Sequence, residues 1–140
     1  MASHAYIKLV SSSSQQEVTL EEVRKLLKYY REITGKTGRQ LGWKYEEAAF
    51  PYEFAETPDG KGKWFYLRAA DKDNYRYIVF AVDSDHTNNS EIQYNIIQVT
   101  LPDDATHGDK SKANEFSKFM AKKLGGELHL FNGRIMHHKA

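Results

Sequence analysis

Acidic residues and one histidine lie in the connections between predicted strands. Asp71 and Asp73 occupy one short connection. Asp103, Asp104 and His107 occupy another. In an antiparallel meander both connections lie at the same end of the sheet, so the five side chains are candidates to converge. Carboxylate oxygens with one imidazole suit a divalent cation, as in a metal-dependent enzyme. The alternative is that these aspartates form local hydrogen bonds in solvated turns.

Two further histidines lie in a predicted C-terminal hairpin. Asn132-Gly133 is the strongest sequence signal for a type I′ turn. Counting back from that turn pairs His129 with Met136, and it places His129 and His137 on opposite faces of the hairpin. We therefore do not expect the two imidazoles to share a metal ion, and the spacing typical of zinc ligands is absent elsewhere in the sequence.

The sequence lacks the signatures of the common catalytic classes. It contains no cysteine, which excludes disulfides, thiolate zinc ligands and a cysteine nucleophile. It contains no serine-hydrolase elbow, dinucleotide-binding fingerprint or His-Glu-x-x-His helix. The Gly-Lys-Thr-Gly segment at residues 35–38 follows the predicted end of a helix, whereas a phosphate-binding loop opens one. We expect no cofactor, and a non-enzymatic role is favoured over an enzymatic one.

Four aromatic residues alternate with aliphatic ones in two neighbouring predicted strands. Trp64 and Tyr66 share a face of one strand, and Tyr75 and Tyr77 share a face of the next. Because the aliphatic set belongs under the helices, the aromatic set is expected on the outer face of the sheet. Such a surface can stack nucleic-acid bases, anchor a protein or line a ligand site. Alternatively, the rings only stabilise the sheet as cross-strand pairs, or the C-terminal hairpin covers them.

The distribution of charge helps to choose among these partners. The formal net charge is +1, but residues 51–108 hold ten acidic against five basic side chains. The flanking segments are basic, at +2 for residues 1–50 and +4 for residues 109–140. Phosphate neutralisation needs clustered Lys and Arg, so nucleic acid is disfavoured on the aromatic face. Blocks of opposite charge in one chain favour a protein partner or a second copy.

An irregular stretch over residues 36–51 suggests a second candidate site. It contains Trp43, Tyr45 and Phe50, which would line a pocket between the sheet and the helices. The stretch itself would act as the lid of that pocket. A small apolar ligand suits such a site.

Two amphipathic helices are predicted. Thr19 and Glu22 form a capping box at the start of the first, whose apolar residues repeat at helical spacing up to Ile33. Gly35 is expected to end it in the left-handed conformation. The second helix is predicted over residues 111–124, capped by Asp109 or Ser111 and ended by Gly125.

Alternation of apolar residues predicts the strands. They cover residues 5–10, 52–56, 63–69, 75–82 and 91–101, followed by a hairpin of 128–131 and 134–138. Adjacent Ile96 and Ile97 suggest a β-bulge. The order of elements predicts one α+β domain over residues 1–140. Its fold is expected to be a two-layer sandwich, an antiparallel meander sheet with both helices on one face.

A signal peptide is not expected at the N-terminus. The N-terminus lacks a cationic region followed by an apolar run, and no stretch approaches the roughly 18 apolar residues of a membrane helix. A cytoplasmic location without membrane contact is therefore expected.

Three segments resemble a small family of uncharacterised bacterial proteins. They are Ser-His-Ala-Tyr-Ile-Lys-Leu-Val at 3–10, Val-Thr-Leu-Glu-Glu-Val at 18–23 and Ala-Ala-Phe-Pro-Tyr at 48–52. The resemblance implies a bacterial, cytosolic α+β domain and transfers no site residues. The favoured function is a non-enzymatic protein-interaction or self-associating module. The alternatives are a binder of small apolar ligands and a metal-dependent enzyme.

Overall fold

In a computed structural model of the protein, seven strands form one antiparallel sheet and two helices pack on one of its faces. The structure describes residues 3–10, 13–41, 50–56, 58, 64–69, 74–83 and 95–137. The elements are β1 (Ser3–Lys8), α1 (Leu20–Leu41), β2 (Tyr52–Ala55), β3 (Trp64–Ala69), β4 (Tyr77–Asp83), β5 (Ile96–Leu101), α2 (His107–Leu124), β6 (Glu127–His129) and β7 (Ile135–His137).

The strand order across the sheet is β2-β3-β4-β5-β1-β6-β7. Strands β2 to β5 follow one another as the predicted meander. Strand β1 inserts between β5 and β6 and pairs antiparallel with both. The predicted α+β class and two-layer arrangement are therefore confirmed. No helix among the described residues is long and apolar enough to cross a membrane.

The core lies between the sheet and the helices. Alternate residues of β3, β4 and β5 are buried, as the sequence pattern predicts. Full burial of one such side chain contributes about 1.5–3 kcal/mol. The core residues on these three strands are Phe65, Leu67, Ala69, Ile78, Phe80, Val82, Ile97, Val99 and Leu101. The β-bulge predicted at Ile96 and Ile97 is wrong, because both residues pair one-to-one with Lys8 and Ile7 of β1 and with Asp83 and Val82 of β4, so no extra residue lies between them.

Helix α1 begins as predicted and ends later. Thr19 N donates to Glu22 Oε1 over 3.0 Å, and Glu22 N donates to Thr19 Oγ1 over 3.1 Å. The expectation that Gly35 ends the helix is wrong, because the helix continues to Leu41 and Gly35 does not adopt a positive φ. Glycine permits the left-handed conformation without imposing it, and the Lys, Arg and Gln that follow favour helix.

Helix α2 begins four residues earlier than predicted, at His107. Its N-cap is Thr106, so neither Asp109 nor Ser111 caps it. Asp109 N donates to Thr106 Oγ1 over 3.0 Å, and Thr106 N donates to Asp109 Oδ2 over 3.1 Å. A Thr-x-x-Asp capping box therefore sets the start of the helix. Gly125 ends it at φ 68°, as predicted.

The C-terminal hairpin has a different turn from the one predicted. Leu130 N donates to Arg134 O over 2.8 Å, and Gly133 N donates to Leu130 O over 3.0 Å. With Gly133 at φ +86°, the connection is a three-residue loop ending in a left-handed glycine. His129 now pairs with Ile135 rather than Met136. A shift of one residue moves side chains to the other face, so His129 and His137 share a face after all.

Candidate functional site

The face of the sheet opposite the helices, called the outer face below, carries two central rows of side chains without Asp, Glu, Lys or Arg. Strand pairing sets the rows. One row contains Trp64, Ala81, Gln98, Tyr6, His129 and Ile135. The other contains Ala55, Tyr66, Val79, Thr100 and His4.

Charged residues lie in the rows on either side of this centre. The first flanking row contains Asp83, Ile96, Lys8, Glu127 and His137. The second contains Glu53, Arg68 and Tyr77. An uncharged, partly aromatic centre with a charged rim is the usual anatomy of a protein interface.

Three of the four predicted aromatic residues lie on the outer face. The ring centroids of Trp64 and Tyr66 are 6.3 Å apart, and those of Tyr66 and Tyr77 are 5.9 Å apart at an interplanar angle of 65°. All three side chains are half-buried. Such contacts stabilise the sheet by about 0.5–1.5 kcal/mol per pair, so the rings form a fixed surface.

Tyr75 does not join this surface, and its predicted placement is wrong. Its ring lies 5.7 Å from that of Tyr52, on the helix side of the sheet. The reason is the residue that follows it: Arg76 N donates to both oxygens of Asp109, at 2.9 and 3.0 Å. This contact draws the chain towards α2, and regular alternation starts only at Tyr77.

The outer face also contains residues that the sequence reasoning missed. Tyr6 is 38% exposed, and its ring lies 6.4 Å from that of His4. His4 Nδ1 lies 2.9 Å from both Thr100 Oγ1 and Gln98 Nε2. The alternation of β1 around buried Ala5 signals this face. Its position between β5 and β6 is a long-range pairing that no local pattern reports.

A small polar cluster lies at the β6 end of the outer face. His129 Nε2 lies 2.6 Å from Glu127 Oε1, and His137 Nδ1 lies 3.6 Å from Glu127 Oε2. The carboxylate therefore hydrogen-bonds the His129 imidazole and lies near that of His137, and the corrected hairpin register brings both imidazoles to one side. A cavity of about 250 Å³ beside it is lined by Tyr6, Lys8, Ile96 and His129.

The loop between β5 and α2 positions three of the five predicted metal ligands. Asp103 and Asp104 are exposed, and Asp104 Oδ2 lies 3.3 Å from Arg76 Nη1. His107 is the exposed first residue of α2. The other two ligands, at positions 71 and 73, lie outside the described residues. Across the described ranges, no group of three or more acidic or histidine side chains is arranged to hold a metal ion.

Of the three residues predicted to line the apolar pocket, only Phe50 lies among the described residues. Trp43 and Tyr45 lie outside them. Phe50 is 5% exposed and belongs to the core. Its ring centroid lies 5.4 Å from that of Phe116 and 5.7 Å from that of Phe54. Aromatic rings therefore fill the space around it.

A larger cavity, of about 540 Å³, opens at the end of the sheet beside the β5–α2 loop. His107 and Lys110 from the first turn of α2 line it, together with Phe131 from the hairpin loop. No local sequence pattern indicates this cavity, because three segments distant in the chain form it.

Comparisons with known proteins place the chain in a family. A family model described as a domain of unknown function, DUF1885, matches residues 3–140. A crystal structure of a protein of unknown function from Bacillus stearothermophilus has 44% sequence identity and a TM-score of 0.56. That match covers 89% of this chain and 92% of the other. A comparison with curated proteins finds no match. As the resemblance in the sequence implies, the chain belongs to the DUF1885 family, a bacterial domain of unknown function.

Proposed function

We propose that the protein is a self-associating module whose outer face packs against the outer face of a second copy. The observation that carries this proposal is the arrangement of the rows. Two central rows without Asp, Glu, Lys or Arg are flanked by rows that contain Asp83, Lys8 and Arg68. Depletion of charge at the centre and charge at the rim distinguish interfaces from ordinary protein surface.

The aromatic residues supply anchors for such an interface. Trp and Tyr dominate the energy of protein interfaces when they lie near the centre. Trp64 and Tyr6 lie in the same central row, and Tyr66 lies in the adjacent one. Nucleic acid is a poorer occupant, because these rows hold no Lys or Arg to neutralise phosphate.

The size of the outer face fits a second copy. Strands lie about 4.8 Å apart and residues rise about 3.3 Å along a strand, so seven strands and four rows span roughly 30 by 20 Å. This footprint approaches the roughly 800 Å² of accessible surface that each partner buries in a standard interface. A two-fold axis through the face would place the same patch on both protomers.

Sedimentation equilibrium over a concentration series tests the proposal. We expect the wild-type protein to reach twice its mass of 16.2 kDa between about 1 μM and 0.1 mM, the range set by micromolar affinity. Tyr66→Glu places a charge in one of the two central rows of the outer face and should abolish the dimer. Tyr29→Glu is the matched control, since Tyr29 is 45% exposed on α1, on the other side of the sheet.

Two results would overturn self-association through this face. One is a wild-type protein that stays monomeric at about 0.1 mM, where an affinity in the micromolar range predicts mostly dimer. The other is a dimer that Tyr66→Glu and Tyr29→Glu weaken equally, because the outer face would then not be the interface.

A further inference from the structure

The 540 Å³ cavity at the end of the sheet lies on the helix side, away from the outer face. Ser3 lines the cavity and lies on the same face of β1 as buried Ala5 and Ile7. Its volume falls within the roughly 300–1,000 Å³ of ordinary small-molecule sites. Any ligand it holds would be independent of self-association through the outer face.

We propose that this cavity binds a small organic anion, a carboxylate or phosphate ester that also carries an apolar group. Leu101 and Phe131 provide the apolar wall, and Phe131 is half-buried against the core. His107 and Lys110 lie three residues apart on α2, so their side chains share one face of the helix and line the same cavity.

The two basic side chains are available to a ligand. Among the described residues, neither His107 nor Lys110 has an ion-pair partner. Lys110 lies in the first turn of α2, where the helix dipole disfavours its positive charge. A bound anion would offset that unfavourable placement. The backbone N–H of Asp109 is not available to the anion, because it already donates to Thr106 Oγ1. The proposal therefore rests on the side chains.

Neutral donors and one acid complete the lining. Asn132 Oδ1 accepts a hydrogen bond from Arg134 N over 3.0 Å, so the Asn132 amide nitrogen remains as a donor. Asp103 is the acid on the rim, and it already takes part in a contact within the protein. The two basic groups and the amide therefore favour an anionic head group.

Titration of ¹⁵N-labelled protein at low salt with phenyl phosphate, benzoate and benzyl alcohol tests the proposal. We expect the two anions to shift the amide signals of residues 107–110 and 132. Benzyl alcohol has the apolar group without the charge and should bind at least about tenfold more weakly, which corresponds to the loss of one charged contact. The relative affinity of the two anions identifies the preferred head group.

Lys110→Gln should weaken binding of the preferred anion about tenfold. Lys118→Gln is the control, because Lys118 is exposed on the same helix and does not line the cavity. Tyr66→Glu protein should bind the anion like the wild type, whether or not self-association is confirmed. The proposal is overturned if neither anion shifts these signals, if benzyl alcohol binds equally well, or if Lys110→Gln has no effect.

Discussion

Tyr52 donates its hydroxyl hydrogen to Asp109 Oδ1 over 2.5 Å, a contact that joins the edge strand β2 to the first turn of α2. Asp109 is fully buried, and its oxygens also accept from Arg76 N and Thr106 N. These donors replace the water that the carboxylate loses. Burial, followed by the hydrogen bond from the hydroxyl to Asp109, raises the pKa of Tyr52. One carboxylate thus ties together β2, α2 and the segment before β4.

Asp109→Ala should strongly destabilise the protein. The substitution leaves Tyr52 OH, Arg76 N and Thr106 N without their acceptor, and each unpaired buried donor costs about 1–3 kcal/mol. We expect the free energy of unfolding to fall by roughly 3 kcal/mol or more, measured by urea denaturation. Asp104→Ala is the control and should cost less than about 1 kcal/mol, because Asp104 forms an exposed ion pair. Equal losses in the two variants would contradict this role for Asp109.

The stability difference between the wild type and Tyr52→Phe should depend on alkaline pH. The pKa of Tyr52 is raised in the folded state above its ordinary value of 10.0. The Tyr52 hydroxyl therefore stabilises the folded state fully below pH 10.0. This stabilisation is lost as the pH rises above that value, because Tyr52 ionises in the unfolded chain while it stays protonated in the folded one. Near neutral pH, Tyr52→Phe should lose about 1–2 kcal/mol. Urea denaturation should show that the difference in unfolding free energy between the two proteins narrows above pH 10.0. A difference that stays constant with pH would contradict a raised pKa for Tyr52.

Gly108→Ala should destabilise α2 although alanine favours helices. A Cβ at position 108 would lie 2.5 Å from Asn74 O and 2.8 Å from Tyr75 Cε1. The nearest atom belongs to the backbone and cannot rotate away, so overpacking of about 1–3 kcal/mol outweighs the propensity gain of about 1 kcal/mol. Thermal denaturation should show a lower melting temperature for Gly108→Ala. Ser111→Ala, at an exposed position of α2, should leave it unchanged or raise it.

Local signals predicted the parts of the fold that depend on neighbouring residues. Thr19 and Glu22 marked the start of α1, Gly125 marked the end of α2, and alternation identified the core faces of the central strands. Sequence reasoning places the start of α2 four residues too late, because it assigns Asp109 or Ser111 to the cap. Its carboxylate in fact serves the capping box and also bonds Tyr52 and Arg76, which are distant in the chain.

Long-range packing decided the rest of the candidate site. Alternation assigns Trp64, Tyr66 and Tyr77 to the face on which they lie, but it misplaces Tyr75 because a contact with α2 interrupts the strand. Asn132-Gly133 is compatible with two turn types that differ by one residue in register. The observed type moves His137 beside Glu127. The insertion of β1, which brings Tyr6 to the outer face, likewise has no local signal.

Trp64 can report the state of the outer face directly. The chain contains two tryptophans, so Trp43→Phe leaves Trp64, which is half-buried on the outer face, as the only indole. If two copies pack through this face, acrylamide quenching of Trp64 should fall as the protein is raised from about 1 μM to 0.1 mM, since interface centres exclude water. Adding Tyr66→Glu should make quenching independent of concentration, at a value altered by the loss of the ring beside Trp64, while adding Tyr29→Glu should preserve the fall. Quenching that is independent of concentration in the Trp43→Phe protein would place the interface elsewhere or show that the protein is monomeric.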